Sequence, residues 1–382
     1  MTKDINKRNF DEGTSIKLEL FKLYLREWLP VFISKKAKTI EVFDFFAGSG
    51  TDVNGNPGSP LIILNEISNQ CEKLVQNNIR LKVLFNDLDG DKIDILSENI
   101  GEHLKTCSSS SKYDFCTNPN DSCPFEIKLT KEDFKDLFER WYNYFLNSQG
   151  VPRMLFIDQY GIKHVSESIF KKLISLRHAD FIFFISTSYL KRFKEQPEFL
   201  KYLSINEIEF DSSNPYSCHR AVFNYYKSLL ASKKYYLGQF SIRKNGNIYG
   251  VIFGSGHPLG LKKFLDVAWK LDVHTGETNF DIDNDSVRVG QYSLDFDNDG
   301  SANKVKKLVG YELDLLKYLE DGRSNIEIYL FSIENGISIK KTNEILKRLE
   351  EQNMLTFGGE ARRKGAFYLD FEPEKKITIK IL

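Results

Sequence analysis

Thr39-Ile40-Glu41-Val42-Phe43-Asp44-Phe45-Phe46-Ala47-Gly48-Ser49-Gly50 is the stretch on which the fold turns. Residues 39–46 are largely β-branched and aromatic, which predicts a buried strand, and the chain then enters a Gly-x-Gly turn. A strand that ends this way brings backbone close to a ligand, because side chains would block the approach. The third glycine of a dinucleotide fingerprint is missing, since Thr51-Asp52-Val53 follow Gly50. The turn therefore suits S-adenosylmethionine better than a pyrophosphate. Asp44, Gly48, Ser49 and Gly50 are its candidate contacts, the three turn residues at the amino-acid end. A tight turn with no ligand is the plain alternative.

The flanking sequence alternates helix and strand. Residues 15–33 carry Leu18, Leu20, Phe21, Leu23, Tyr24 and Leu25 at helical spacing, with Pro30 near the end. Residues 51–60 read as a loop and Leu61 to Gln76 as helix. Leu81 to Asn86 is a second strand, and Asp87 at its end is placed to accept ribose hydroxyl protons. After a helix near 91–100, residues 106–122 are small and polar and predict a loop. Phe125 to Leu129 is a third strand. Asp133 then either reaches an adenine amine or starts the helix over 131–146. Met154 to Ile157 is a fourth strand, closed by Asp158-Gln159-Tyr160-Gly161. Asp158 would accept from an amine awaiting methylation and Tyr160 would stack on a flat base; the alternative is that Asp158 caps the next helix. A helix over 165–177, a strand at 181–186, mainly helix over 197–235, a hairpin at 237–244 and 247–253 around Asn245-Gly246, and a helix at 259–271 complete the pattern.

Strands joined by helices imply a parallel sheet covered on both faces. Five of them with a late antiparallel pair predict an α/β, Rossmann-like class I methyltransferase sheet over residues 1–275. Residues 276–310 read as a linker. In 311–382, three helices precede alternating residues at 354–357 and 366–369, a winged-helix-like pattern. Between Ser338 and Lys364 there are seven basic and four acidic residues. Lys340, Lys341, Arg362, Arg363 and Lys364 are therefore candidate nucleic-acid contacts, although winged helices also bind proteins.

The chain resembles the three-Cys-motif partner family. The resemblance is carried by Phe43-Asp44-Phe45-Phe46-Ala47-Gly48-Ser49-Gly50, Gly58-Ser59-Pro60-Leu61-Ile62-Ile63-Leu64, Phe85-Asn86-Asp87-Leu88-Asp89, Leu155-Phe156-Ile157-Asp158-Gln159-Tyr160-Gly161, Gly254-Ser255-Gly256-His257-Pro258-Leu259-Gly260-Leu261-Lys262 and Ala268-Trp269-Lys270. It implies a class I methyltransferase fold and, as partner, a radical-S-adenosylmethionine-like protein bearing three cysteines. Gln159-Tyr160 stands where the family usually has Pro-Phe. The related Asp-Pro-Phe-Gly motif of a tRNA guanine dimethyltransferase family points to methylation of a base amine. A methyltransferase-fold binding module without turnover is the other reading.

Composition sets the outer limits. With 382 residues the chain is long enough for two or three domains. Lys plus Arg and Asp plus Glu are both 53, so any nucleic-acid surface must be a local patch. Phe181 to Ile185 is the longest membrane-like run, far short of the ~20 residues a bilayer needs, so no membrane span is expected. The start of the chain shows no signal-peptide pattern, and a cytoplasmic location is expected. The five cysteines, at 71, 107, 116, 123 and 218, form no C-x-x-C pair and read as reduced thiols. The six histidines are scattered, so no metal site is expected. Asp295-Phe296-Asp297-Asn298-Asp299-Gly300 imitates half an EF-hand loop, but Lys306 stands where the bidentate Glu is required.

Overall fold

The computed structural model describes residues 9–105, 125–148, 150–159, 161–193, 196, 202–231, 233–285 and 305–382. Tyr160, the cysteines at 107, 116 and 123, and the Asp295–Gly300 segment lie outside the described residues. Contacts divide the chain into two compact units, residues 1–235 with 241–256, and residues 236–240 with 257–382.

The first unit opens with α1 (Glu12–Ser34), capped by Asp11, whose carboxylate accepts from the Thr14 amide. There follow β1 (Thr39–Asp44), α2 (Ser59–Ser68), α3 (Cys71–Gln76), β2 (Arg80–Asn86), α4 (Gly90–Lys105), β3 (Phe125–Thr130), α5 (Phe134–Asn147), β4 (Arg153–Ile157), α6 (Glu167–Leu173), β5 (Ala179–Ile185), α7 (Thr187–Arg192) and α8 (Cys218–Ser228). The hairpin strands are β6 (Tyr236–Lys244) and β7 (Asn247–Ser255). The sheet order is β3-β2-β1-β4-β5-β7-β6. β1 to β5 pair in parallel and β7 runs antiparallel to β5. This is a Rossmann-like α/β sheet with a late antiparallel pair. The predicted helix over 61–76 is two helices, and much of the described chain between 202 and 217 is irregular.

The central strands are buried along nearly their whole length, as expected where helices cover both faces. Their apolar runs admit a buried ion pair. Arg153 in β4 donates to Glu41 in β1 at 2.7 Å, both almost without exposure, and Tyr144 donates to the other Glu41 oxygen at 2.5 Å. A buried charge pair persists only where each remaining polar atom also finds a partner, and Arg153 adds bonds to the carbonyl and hydroxyl of Ser148.

One stripe of α1 lies on the sheet. Phe21 stacks on Phe156 of β4 with centroids 4.0 Å apart, and Tyr24 donates to Asp180 of β5 at 2.6 Å. Lys17, one turn before Phe21, is on the same stripe and is buried. Since Phe156 lies near the end of β4 and Asp180 near the start of β5, the helix runs against the strands and brings Lys17 to their carboxyl edge.

The second unit contains α9 (Pro258–Leu271), α10 (Lys306–Leu319), β8 (Arg323–Ser324), α11 (Asn325–Glu334), α12 (Ile339–Glu351), β9 (Leu355–Gly359) and β10 (Ile377–Ile381). A full capping box, Ser324 with Glu327, starts α11. The small sheet is antiparallel in the order β8-β10-β9. The expected second strand at 366–369 does not form. Ile377–Ile381 pairs with β9 instead, its Ile377 and Ile379 buried in alternation. Tyr368 adopts φ +48°, which breaks extended backbone, and buried Asn325 holds this segment by donating to the carbonyls of Tyr368 and Lys375. Among the described residues no helix is long and apolar enough to cross a membrane.

Candidate cofactor and acceptor site

The glycine turn after β1 takes the left-handed conformation its residues allow, with φ +62° at Gly48 and +87° at Gly50. At Gly50 the missing side chain serves internal packing: a Cβ there would lie 2.7 Å from a methyl of Leu96 in α4. Ser49 is buried, its hydroxyl donates to the Thr51 carbonyl, and its own carbonyl accepts from Asn99 at 2.8 Å. The turn is therefore built as much by α4 as by its own sequence.

Asp87 reaches it from the end of β2. One oxygen accepts from the Gly48 amide at 3.0 Å and the other from the Asp89 amide at 2.9 Å. Asn86, which carries no local signal in the sequence, ties three strand ends together. Its amide donates to the carbonyls of Phe45 and Glu132, and its oxygen accepts from Thr130 and from the Glu132 amide. Every polar position of this buried side chain is thus used.

Asp44, at the end of the central strand, is wholly buried. One oxygen accepts from the Phe46 amide at 3.1 Å, and among the described residues no donor completes a hydrogen bond to Oδ2. Burial pushes its carboxyl up to about 7, against the pull of the Ser59 hydroxyl and the Phe46 amide, and the charges of Asp158 and Asp87 add to the rise.

The loop beyond Ser49 turns on Asp52. Its carboxylate accepts from the amides of Phe10, Asn54 and Asn56 and from the Asn56 side chain. Burial acts against the charge, but these donors outweigh it and hold the carboxyl down at about 2.

Asp158 follows β4. Its Oδ2 is held by the Lys17 ammonium, whose side chain is 6 % exposed, while the Asp158 side chain keeps 21 % exposure. Lys17 also lies 4.8 Å from the centroid of Phe184 in β5. A lysine on a surface helix ordinarily reads as solvated, and only its place on the apolar stripe with Phe21 and Tyr24 marks it in the sequence. Gln159 is buried, with Oε1 accepting from the amides of His164 and Val165 and Nε2 without a partner among the described residues. The Gln159 side-chain amide thus ties the end of β4 to residues 164 and 165.

An aromatic cluster adjoins the turn. His164 meets Phe46 edge-on at 5.0 Å and Phe134 at 5.7 Å. Burial lowers its imidazole, with the Lys163 charge acting the same way and Asp133 opposing. Asp133 caps α5, accepting from the Lys135 amide at 2.8 Å. Asp44, Gly48 and Asp87 are thus brought together, Asp158 lies close enough to Asp44 to be felt electrostatically, and Asp133 stands beside the aromatic cluster. Tyr160 lies outside the described residues.

In the second unit, Lys340, Arg363 and Lys364 are exposed. Lys341 pairs with Glu344 at 3.1 Å. Arg362 is committed: it lies 3.3 Å from the centroid of Phe357, pairs with Glu350 and donates to the Arg363 and Ala366 carbonyls.

No protein-family model matches this sequence. No curated protein is similar to it. Among solved structures it is similar to Trm1 from Pyrococcus horikoshii in complex with S-adenosyl-L-methionine, at 10% identity and TM-score 0.39, over 71% of this chain and 63% of that one. The chain thus spans less than two thirds of the length of Trm1. It is also similar to an O-methyltransferase from Bacillus cereus in complex with SAH, at 12% identity and TM-score 0.32, over 66% of this chain and 84% of that one. A third is the O-methyltransferase TomG from Streptomyces achromogenes in complex with SAM, at 10% identity and TM-score 0.30, over 65% and 92%. At such scores none of these adds to what the chain's own geometry supports.

Proposed function

We propose that the carboxyl edge of the large sheet binds S-adenosylmethionine and that the protein transfers its methyl group to an amine nitrogen of a nucleic-acid base. The observation that carries the reading is Asp44 Oδ2, fully buried beside the glycine turn and without a donor in hydrogen-bond geometry among the described residues. A buried carboxylate oxygen is costly unless something hydrogen-bonded or cationic meets it. The α-ammonium of the cofactor fits that need. Asp87, already bonded to the turn, keeps lone pairs for ribose hydroxyls. The Phe46 ring, with the His164 imidazole edge-on to it, offers an aromatic surface for the adenine, with Asp133 near His164.

The bound group would supply an electrophilic methyl. The chain's part is to align an acceptor nitrogen in line with it and to exclude water, which needs positioning rather than a strong base. Asp158 orients the acceptor. Tyr160, two residues on, would stack against the base. The winged-helix-like pattern of the second unit, with Lys340, Lys341, Arg363 and Lys364, would hold the nucleic-acid backbone. By the family resemblance, a three-Cys-motif radical-S-adenosylmethionine-like protein would be the partner.

A second reading, a binding module without turnover, is favoured by one observation: Asp158 is already engaged by Lys17. Calorimetry with S-adenosylmethionine, followed by transfer of labelled methyl to total RNA and DNA, separates the two. Binding that Asp44→Ala abolishes, with label that Asp158→Ala removes, supports the enzyme. Binding with no transfer supports the module. No heat at all overturns the cofactor site.

A further inference from the structure

We infer that Lys17 is a specificity-determining positioning residue of the acceptor site, selecting a neutral N–H that lies next to a hydrogen-bond acceptor and rejecting cationic amines. The inference rests on the proposed methyltransferase reading and deepens it.

The geometry is specific. Lys17 grips one oxygen of Asp158, Oδ2, and no described residue donates to the other, Oδ1. Asp158 keeps 21 % exposure while Lys17 keeps 6 %. Among the described residues one acceptor oxygen of this partly exposed side chain thus has no donor, with the Lys17 ammonium against the other. Lys17 is fixed from two further directions, by the Phe184 ring at 4.8 Å and by the helix that Phe21 clamps to β4.

An isolated carboxylate at this place would attract any amine, and an aliphatic ammonium most of all. With Lys17 present the local charge is cancelled, and an arriving cation meets a like charge at close range, which strongly disfavours it. A lysine ammonium has three donors, and only one is needed for Asp158. Its others suit a ring nitrogen or carbonyl beside the reacting N–H. The edge of a nucleobase presents that pairing, a donor next to an acceptor. A protein lysine or a polyamine does not.

The experiment uses the full chain, wild type and Lys17→Met, Lys17→Arg and Asp158→Asn variants. Each is given labelled S-adenosylmethionine with an equal mixture of total RNA, total DNA, spermidine and a lysine-rich peptide, and the labelled products are hydrolysed and identified by mass spectrometry. Cofactor binding is measured on the same samples by calorimetry. In the wild type the label is expected on nucleobase nitrogen. In Lys17→Met the ratio of nucleobase to aliphatic-amine product is expected to fall by about tenfold or more, because an uncancelled carboxylate now favours cations. Lys17→Arg should retain the wild-type ratio. A wild type that labels spermidine or the peptide first overturns the inference. So does a Lys17→Met variant in which all products fall together at constant ratio, which is the signature of a purely structural ion pair. Cofactor binding without transfer to any acceptor overturns the catalytic reading and this inference with it, whereas absence of cofactor binding fails the cofactor site itself.

Discussion

Asp87 Oδ2 accepts the Gly48 amide at 3.0 Å, so a carboxylate at the end of one strand holds the glycine turn that follows its neighbour. Its other oxygen is bonded to the Asp89 amide. Both bonds are charge-assisted and belong to the stronger class. Asp87→Ala removes the turn's anchor together with the proposed ribose acceptor, whereas Asp87→Asn keeps an oxygen for Gly48 but loses the charge. Loss of such a bond costs about 1.5–3 kcal/mol. Calorimetry with S-adenosylmethionine should therefore show binding weakened by about 10- to 100-fold in Asp87→Ala and less in Asp87→Asn. Wild-type affinity in the alanine variant would remove Asp87 from the cofactor site.

Asp44 gives the site a pH signature. Its carboxyl is raised from an ordinary 3.8 to about 7. Between these values the folded chain holds a proton that the unfolded chain has lost. Its contribution to stability is therefore most favourable below about pH 4, falls as pH rises toward 7, and is level above that. Asp44→Asn should flatten this slope, seen as similar urea midpoints at pH 5 and 8 where the wild type differs. A bound ammonium favours the ionised form, so cofactor binding near pH 6 should release a proton. Calorimetry in buffers of different ionisation heat reads that release directly, and a proton count of zero would separate Asp44 from the ligand.

Legibility in the sequence follows how local each signal is. The strand into the Gly-x-Gly turn, Asp87 at the end of β2 and the hairpin at Asn245-Gly246 are local patterns, and the chain folds as they indicate. The third tail strand is hidden because Ile377–Ile381 pairs with β9 across an irregular segment, while the nearer alternating run at 366–369 is diverted by Tyr368 and Asn325. Asn86 and Lys17 are hidden because their roles are set by partners 41 to 46 and 141 positions away. Arg362 counts with the basic patch in the sequence, yet its charge is spent on Glu350 and the Phe357 ring.

The Glu41–Arg153 pair bridges β1, which ends at Asp44, and β4, which Asp158 follows, with both side chains at 3 % exposure or less. Removing one partner leaves the other charged, buried and unpaired. Glu41→Ala is expected to destabilise by about 3–5 kcal/mol. Replacing both by apolar residues of similar size, Glu41→Leu with Arg153→Met, should recover most of that loss. Urea denaturation of the single and double variants checks this, and a double variant as unstable as the single would mean that the bonds to Tyr144 and Ser148, not the charge, hold the strands.

Arg362, Arg363 and Lys364 stand in one run of sequence but should behave differently. Arg363 and Lys364 are exposed, whereas Arg362 bears on Phe357, Glu350 and two carbonyls. If the segment meets nucleic acid, Arg363→Ala with Lys364→Ala should weaken binding to RNA or DNA similarly for all sequences. It should also make the salt dependence shallower, by about one in the log–log slope for each phosphate no longer neutralised. Its melting temperature should stay near that of the wild type. Arg362→Ala should instead lower the melting temperature, because it removes a partly buried pair and a cation–π interaction together. Filter binding over a salt series, run beside thermal unfolding, distinguishes the two residues, and a salt slope unchanged in the double variant would exclude this face as the phosphate-binding surface.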